Sequence, residues 1–520
     1  MTTPVDVAIV GAGPTGVVLA SLLAKRGLTV HVSDSVAEVM SIPRALSLDH
    51  EVQRVFQQIG ALDAVRPFIE PFTHSEFFGA SGQLIRRMTM VAAPYPQGHV
   101  PSVVFSQPPV EHALRANLAA LPGVHMALGL SMTGLTQNAE GVQLRYSDAS
   151  RVQARYAVAC DGGASSTRAA LGIALEDLGF DEPWLVVDVL CNAQGLAKLP
   201  TTSVQYCEPA RPCSLIIGTQ NHRRWEISLL PCEDPQAVAT PERTWALLAR
   251  WLTPQDGQLW RQTSYRFHAL VATQWRVGHV FLAGDAAHMQ PPFLGQGMCQ
   301  GVRDAANLAW KLAAVLQGHV KGAAAERLLD SYCLERGAHV RELTTRIKGV
   351  GAVICERDAA KAQKRDEHML AACGGVVKDT PRQDILPPLS TGLQHEVSSS
   401  GRGALFPQPR LLAGPLMDDV CGHGWRLVHD GSLSDASLAP ASGIEFSGLT
   451  QVNIQHASTA ERDGVVAAWM QRHACLAALV RPDHYVYGTA NNSPELQALL
   501  AGWQARMQGE LAAKSSESAK

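Results

Sequence analysis

Two glycine-rich clusters hold the residue types and spacings that could do chemistry. The first is Gly11-Ala12-Gly13-Pro14-Thr15-Gly16. The second is Gly284-Asp285-Ala286-Ala287-His288, followed by Pro291-Pro292-Phe293-Leu294-Gly295-Gln296-Gly297. A GxGxxG between strand and helix rests a dinucleotide pyrophosphate on the helix N-terminus, and NAD and FAD both satisfy it. The second cluster narrows the choice. Asp285 ends an apolar run, residues 277–283, where a carboxylate can accept hydrogen bonds from a sugar-alcohol chain. A flavin has such a ribityl chain between ring and pyrophosphate, and a nicotinamide dinucleotide does not. The cofactor expected is FAD.

The elements that must position these clusters are readable from periodicity. Residues 5–10 form a short apolar run, the pattern of a parallel strand buried on both faces. A helix over 17–25 follows the glycine loop and stops at Gly27. A second strand over 29–33 ends at Asp34, an acid about 20 residues past the glycines, where it can bind a ribose. A helix is predicted over 107–121, with Pro108-Pro109 near its start, and a hairpin over 142–146 and 151–159. Residues 180–275 alternate apolar and polar and read as antiparallel sheet. Ala305, Leu308, Ala309 and Leu312 mark one helical face, and helix is expected to continue through 323–372. Residues 376–410, rich in Pro, Gly and Ser, read as a linker, 410–510 as an α/β module, and 513–520 as a disordered polar tail.

Composition sets the outer bounds. At 520 residues the chain should form two or three domains. A net charge of −3 offers no basic excess for nucleic acid. Eleven cysteines without a CxxC pair make neither a disulfide framework nor a zinc pattern, so no metal is expected and a reducing cytoplasm suits the chain. No segment has the roughly 18 uninterrupted apolar residues of a membrane helix, and the expected setting is soluble and cytoplasmic.

The stretch Asp161-Gly162-Gly163-Ala164-Ser165-Ser166-Thr167-Arg168 reads two ways. It is a turn in which Ser165 or Ser166 caps a helix over 167–171, or it is a third ligand loop. The order GxGxxG, then DG, then GD with the Pro/Gly loop resembles the single-component (class A) FAD-dependent aromatic hydroxylases of the p-hydroxybenzoate hydroxylase fold. The likeness covers about residues 1–345 and extends to Pro43-Arg44-Ala45, Gln107 and Arg303-Asp304-Ala305-Ala306-Asn307-Leu308. Arg223-Arg224-Trp225-Glu226 and Arg481-Pro482-Asp483 resemble the 3-(3-hydroxyphenyl)propionate hydroxylases within that family.

The resemblance implies a Rossmann-like FAD-binding domain (1–75, 100–180, 275–345) with an inserted, mostly antiparallel β-sheet substrate domain (76–99, 181–274). A helix and linker (346–409) and a thioredoxin-like module without CxxC (410–510) follow, the last for packing or a homodimer contact. Gly11, Gly13 and Gly16, with Pro14 and Thr15, would hold the FAD pyrophosphate and Asp34 the ribose. Arg44 and Gln107 would contact the phosphates and the ribityl region. Gly284 and Asp285 would serve the ribityl hydroxyls, and Asp161 and Arg168 both FAD and NAD(P)H. Pro291, Pro292, Gly295, Gly297 and Met298 would line the flavin ring, with amides of the following helix facing its pyrimidine edge. His50 either approaches the substrate side of the flavin or starts a solvated helix. His288 is read as a packing histidine, Cys299 and Gln300 as without redox role, and Gln205, Tyr206 and Trp225 as core or sheet-face residues rather than ligands.

The activity implied is reduction of non-covalently held FAD by NADPH or NADH, reaction with O2 to a C4a-hydroperoxide, and oxygen transfer to an electron-rich phenol. A 3-(3-hydroxyphenyl)propionate-type phenol is the substrate expected. A bicyclic or polyketide aromatic, and a non-oxygenating reductase or dehydrogenase, remain alternatives. The group that deprotonates the phenol is not identified.

Overall fold

The computed structural model describes residues 4–433 and 448–508. The predicted tail at 513–520 lies outside the described residues. Among the described residues, four sheets organise the fold. In the first, of eight strands, the strand Val5–Val10, buried from Val7 onward, runs parallel to Val30–Asp34 on one side and Arg151–Ala159 on the other. The apolar run is thus a central strand, flanked on both sides and buried over Val7–Val10. Helix Pro14–Ala24 begins earlier than the apolar pattern suggests, because Pro14 sits at the first helical position, where its missing N–H costs nothing. Helix Gln107–Ala119 and hairpin Gly141–Tyr146/Arg151–Ala159 follow the predicted pattern.

The run at 277–283 is a hairpin rather than one strand. Arg276–Val277 turns back through Gly278, at φ +57°, onto Val280–Leu282. The turn still delivers Gly284 and Asp285 to the carboxyl edge of the first sheet, since Val280–Leu282 is parallel to Arg151–Ala159.

The second sheet has nine strands, dominated by the long antiparallel pair Leu175–Cys191 and Gly257–Ala272. His222–Ser228, Cys213–Ile217 and Ser203–Tyr206 continue it, and Ser75–Phe78 and Leu84–Thr89 extend it from an earlier part of the chain. A three-stranded sheet of Ser47–Asp49, Ser102–Phe105 and Ile69–Pro71 lies beside the first.

Helix Gly297–Leu316 packs on Pro14–Ala24 and on the long helix Gly322–Cys355. The helix expected through 372 is broken at Glu356, whose backbone turns extended; Asp358 caps a new helix, Ala359–Ala372, by accepting from the Lys361 amide. The linker is not free either. Asp379–Pro381 pairs in parallel with Leu84–Thr89 and joins the second sheet.

The C-terminal four-stranded sheet has the order Leu449–Asn453, Trp425–His429, Ala477–Val480, Val486–Ala490, the first two parallel and the others antiparallel. Helices Val465–Arg472 and Ser493–Gln508 accompany it. It is joined to the rest by buried ion pairs, so packing is one role of this module. No helix among the described residues is long and apolar enough to cross a membrane.

Candidate functional site

A cavity of about 400 Å³ is lined from both the first and the second sheet, within the size range of small-molecule sites. Its first wall is largely backbone. Gly13 is the N-cap of helix Pro14–Ala24, no side chain caps that helix, and Gly13, Pro14 and Thr15 line the cavity. A Cβ on Gly13 would meet nothing within 4 Å, so the space before the uncapped amides is open to an anion. Gly11 and Gly16 work differently. At φ +107°, a Cβ on Gly11 would run into the Cys160 carbonyl, and one on Gly16 into the Gly11 carbonyl. They shape the turn while Gly13 leaves the approach clear.

Asp285 also lines the cavity, which is the space its accessible surface faces. None of the described residues donates a hydrogen bond to its carboxylate. The surrounding protein raises its pKa above the usual carboxylate range, while nearby His288 and Arg44 oppose the shift. Its loop is held from behind. Asp304 accepts from the Gly284 amide (2.9 Å), from His288 Nε2 (2.7 Å) and from Arg336 Nε (2.8 Å). His288 is buried and stacked on Trp275, as a packing histidine would be. Gly284, at φ +62°, lies against Thr15 and so ties the two glycine loops together.

Pro292, Gly295, Gly297 and Met298 line the cavity where helix Gly297–Leu316 begins, again without a side-chain cap. A Cβ on Gly297 would meet nothing within 4 Å, whereas one on Gly295, at φ +61°, would strike Ser47 Oγ. Pro291 is buried just behind this loop and is not among the lining residues. Cys299 and Gln300 are buried in the first turns of the helix.

Arg44 and Gln107 line the same space. Gln107 Oε1 accepts from the backbone amides of Arg44 and Ala45 (2.7 and 2.6 Å), and its Nε2 donates to Glu111. The Gln107 amide therefore sets the path of the Arg44 segment. Asp34 accepts from the Ala12 and Val36 amides (2.7 and 2.8 Å), which leaves a carboxylate part of its acceptor capacity for a ribose.

Two further expected site residues, like Pro291, lie off the cavity lining. Asp161 is absent from the cavity lining; its carboxylate accepts from Ser165 Oγ (2.5 Å) and from the Thr167 amide and hydroxyl (3.0 and 2.9 Å). Ser165 caps helix Ser166–Ala170 by accepting from the Arg168 amide. The capped-turn reading describes this loop, and Arg168 fastens it by donating to the Ala286 and Gly163 carbonyls. His50 opens helix His50–Ile59, but it neither lines the cavity nor meets solvent. It is 5% exposed, and burial pulls its pKa down to about 4 against the pull of Asp49. The Asp49 and Glu51 carboxylates beside it are taken by Arg303 (2.5 and 2.6 Å).

The second wall is the face of the second sheet. Gln205, Ser214 and Glu226 are direct cross-strand neighbours, and all three line the cavity. Trp225, between Arg224 and Glu226, points to the opposite face and into its core, where Tyr206 packs on Trp251. Strand alternation therefore sends Arg224 and Glu226 one way and Trp225 the other. Gln205 is a sheet-face residue, and the face it occupies lines the cavity. Arg224 pairs with Asp188 (2.7 Å) and donates to the Arg44 and Pro43 carbonyls, fixing the Arg44 segment to the sheet. Phe267, Met289 and Phe293 supply apolar surface, and Arg382 enters from the segment read as a linker. Sequence reasoning missed Ser214, Glu226 and Arg382. Period-2 alternation around Trp225 was the available signal for Glu226.

These residues fit FAD. Two uncapped helix N-termini, the empty space before Gly13 and Gly297, and the unpartnered Asp285 carboxylate match a pyrophosphate, a ring edge and a polyol.

Comparison with known proteins agrees. An FAD binding domain matches residues 4–347, and an HcaD C-terminal domain matches 403–505. The chain is 36% identical over 513 residues to a probable NADH-specific resorcinol 4-hydroxylase of Rhodococcus jostii (strain RHA1), covering 95% of this chain and 94% of that one. It is 32% identical over 535 residues to a 3-(3-hydroxy-phenyl)propionate/3-hydroxycinnamic acid hydroxylase of Mycobacterium sp. (strain JLS), covering 96% and 92%. Its fold is shared with the flavin-dependent monooxygenase PieE, solved with FAD and substrate (TM-score 0.78, 20% identity, 97% and 99% coverage). It is shared too with aklavinone-11 hydroxylase (TM-score 0.76, 23% identity, 97% and 99% coverage). With the cavity and these matches together, the chain belongs to the class A FAD-dependent aromatic hydroxylases.

Proposed function

We propose that this protein is an NAD(P)H- and O2-dependent monooxygenase that hydroxylates a monocyclic phenol. The observation that carries the reading is a cavity with a flavin-type backbone wall facing a sheet wall of hydrogen-bonding side chains. Bound FAD supplies hydride acceptance and O2 activation. The chain's own residues do the rest: Gly13 and the first turn of Pro14–Ala24 receive the pyrophosphate, and Asp285 the ribityl hydroxyls. Phe267, Met289 and Phe293 keep water from the reacting ring, and Gln205 and Ser214 orient polar substituents.

A 3-(3-hydroxyphenyl)propionate-type substrate is supported by Arg382. This cavity-lining guanidinium forms no ion pair among the described residues and lies over Phe72 at 4.3 Å. A propionate carboxylate would find its partner there. Resorcinol is the second reading, favoured by the 36% identical relative; it would use the polar sheet face and leave Arg382 idle.

We further infer that the C-terminal module is thioredoxin-like. Its support is a four-stranded sheet whose first two strands are parallel and whose last two are antiparallel, with a helix following the last. We likewise take 1–75, 100–180 and 275–345 as the FAD-binding domain and 76–99 and 181–274 as the substrate domain. Eleven free thiols among the described residues support a reducing, cytoplasmic setting.

The test is NADH and NADPH oxidation across phenols with and without a carboxylate, under 18O2. Stimulated oxidation with one labelled atom in a ring hydroxyl is expected. Labelled peroxide alone with every phenol would remove the hydroxylase reading.

A further inference from the structure

Among the groups lining the cavity, Glu226 stands apart. It is 5% exposed, yet none of the described residues makes a hydrogen bond to its carboxylate. Its strand, His222–Ser228, lies between Leu175–Cys191 and Cys213–Ile217, so its backbone is fully laddered and only the side chain is left to find a partner. The side chain lies on the cavity face, in the row Gln205–Ser214–Glu226. Ser214 Oγ donates to Gln205 Oε1, and the row's hydrogen bonding stops there, one strand short of Glu226. A buried carboxylate without a partner is costly unless something supplies one, and the open side of this one is the substrate space.

We propose that Glu226 is a catalytic residue of the hydroxylation, the base that takes the proton from the hydroxyl of a phenolic substrate held against the sheet face of the cavity. The proposal rests on the phenol-hydroxylase reading above. In the step, the phenol O–H bond breaks, the proton bonds to a Glu226 carboxylate oxygen, and the electron pair stays on the phenol oxygen. The ring becomes more electron-rich, as attack on an electrophilic oxygen requires. Nothing is oxidised or reduced, and the proton returns when the product leaves as a neutral phenol.

The charged surroundings suit a reversible acceptor. Burial pushes the Glu226 carboxyl up to about 7, with Arg224 and Arg261 opposing and Asp188 reinforcing. Arg224, on its own strand, is held by Asp188 on the neighbouring strand Leu175–Cys191. On the other neighbour, Cys213 is a buried thiol pushed up out of the working range. Arg266 and His268 line the cavity from Gly257–Ala272, but both are paired with the exposed Asp181. From the first wall the cavity receives Arg44 and Asp285, and from the former linker Arg382. Asp285 is the other unpartnered acid, and it stands on the wall built for the cofactor. A base with its pKa near the operating pH is the efficient one.

The experiment compares wild-type holoenzyme with Glu226→Gln and Glu226→Asp, using the phenol that best stimulates NAD(P)H oxidation. Two quantities are followed against pH: kcat, and the ultraviolet difference spectrum of the bound phenol, which separates phenol from phenolate. In the wild type, phenolate should form on the protein below the phenol's own solution pKa. In Glu226→Gln, kcat should fall about 100-fold with a smaller change in KM, and the phenolate band should vanish near neutral pH. FAD content should be unchanged, and Glu226→Asp should restore part of the rate. A Glu226→Gln enzyme with wild-type kcat, pH profile and phenolate band overturns the proposal. So does a loss shared equally by both variants and accompanied by loss of FAD, which marks a structural role. Failure of the wild type to label any phenol is a different result: it removes the hydroxylase reading itself, and this proposal with it.

Discussion

Two regions of this molecule gather charge, and they do so in opposite ways. Where the C-terminal module meets the rest, each buried acid is matched. Asp418 lies between Arg54 (2.6 Å) and Arg426, and Glu335 between Lys311 (2.7 Å) and Arg481 (2.6 Å). Arg303 holds Asp49 and Glu51, and Tyr485 of the C-terminal module donates to Glu51 (2.9 Å). Despite burial, these arginines keep the Asp418 carboxyl well below its usual range, and Arg481 and Lys311 bring Glu335 to about 2. In the cavity the same type of group is left alone: Glu226 is buried and Asp285 is open to the cavity, and the surrounding protein raises both. The difference separates structure from function. A matched buried charge is an internal fastening, whereas an unmatched one is shaped for something that arrives.

The contrast also disposes of an apparent cation site. Asp418, His423 and His484 offer donor atoms within 4.8 Å of one another. The Asp418 carboxylate is already taken by two guanidiniums, whose charge repels a metal ion, and Arg426 also donates to His484 Nδ1 (2.8 Å). This cluster belongs with the fastenings.

The largest expected effect breaks a fastening. Glu335→Ala leaves Lys311 buried without a carboxylate and Arg481 with Asp483 alone, a change worth about 3–5 kcal/mol, and it also removes the acceptor of the Leu393 amide and one of the two acceptors of the Asn307 side chain. Urea unfolding should show the loss together with release of the C-terminal module. An unchanged midpoint would mean that the interface network contributes nothing.

Acid should sharpen the comparison with a somewhat smaller effect. Glu335 has a folded pKa of about 2, against an ordinary value of 4.5. The folded state therefore binds fewer protons, and the group's stabilisation is present above about pH 4.5 and disappears as pH falls toward 2. The stability gap between wild type and Glu335→Gln, of the order of 2–3 kcal/mol above that range, should close on acidification. A gap that stays constant from pH 6 to 3 would contradict the pairing.

How much of this was legible beforehand follows from distance along the chain. The glycine loop, Pro14 and the GD cluster were readable because strand, turn and helix follow one another locally. Ser165 was readable as a cap for the same reason. The fastenings were not, because Arg481 and Glu335 are 146 residues apart and Arg54 and Asp418 364 apart, and no local pattern links them. Arg382 was hidden in a stretch whose Pro, Gly and Ser content signals a linker, until the pairing of Asp379–Pro381 with Leu84–Thr89 brought it to the cavity. Glu226 was half legible. Alternation puts it opposite Trp225, but only the strand order shows which face meets the flavin wall. His50 could be read as approaching the flavin or as starting a solvated helix, and no local pattern shows that Arg303, from a helix 252 residues away in sequence, closes over Glu51 beside it.

The most direct test of the central claim is the thermal stability of Asp285→Asn with and without FAD. The Asp285 carboxylate is open to the cavity and has no partner in the empty protein, so it holds nothing in the fold and is engaged only by a ligand. Asp285→Asn should therefore keep or raise the Tm of the apoprotein. Its affinity for FAD should fall tenfold to a hundredfold, the roughly 1.5–3 kcal/mol of a charge-assisted hydrogen bond, and the FAD-induced rise in Tm should shrink with it. An apoprotein destabilised as severely as Glu335→Ala, with the FAD-induced rise intact, would contradict the account.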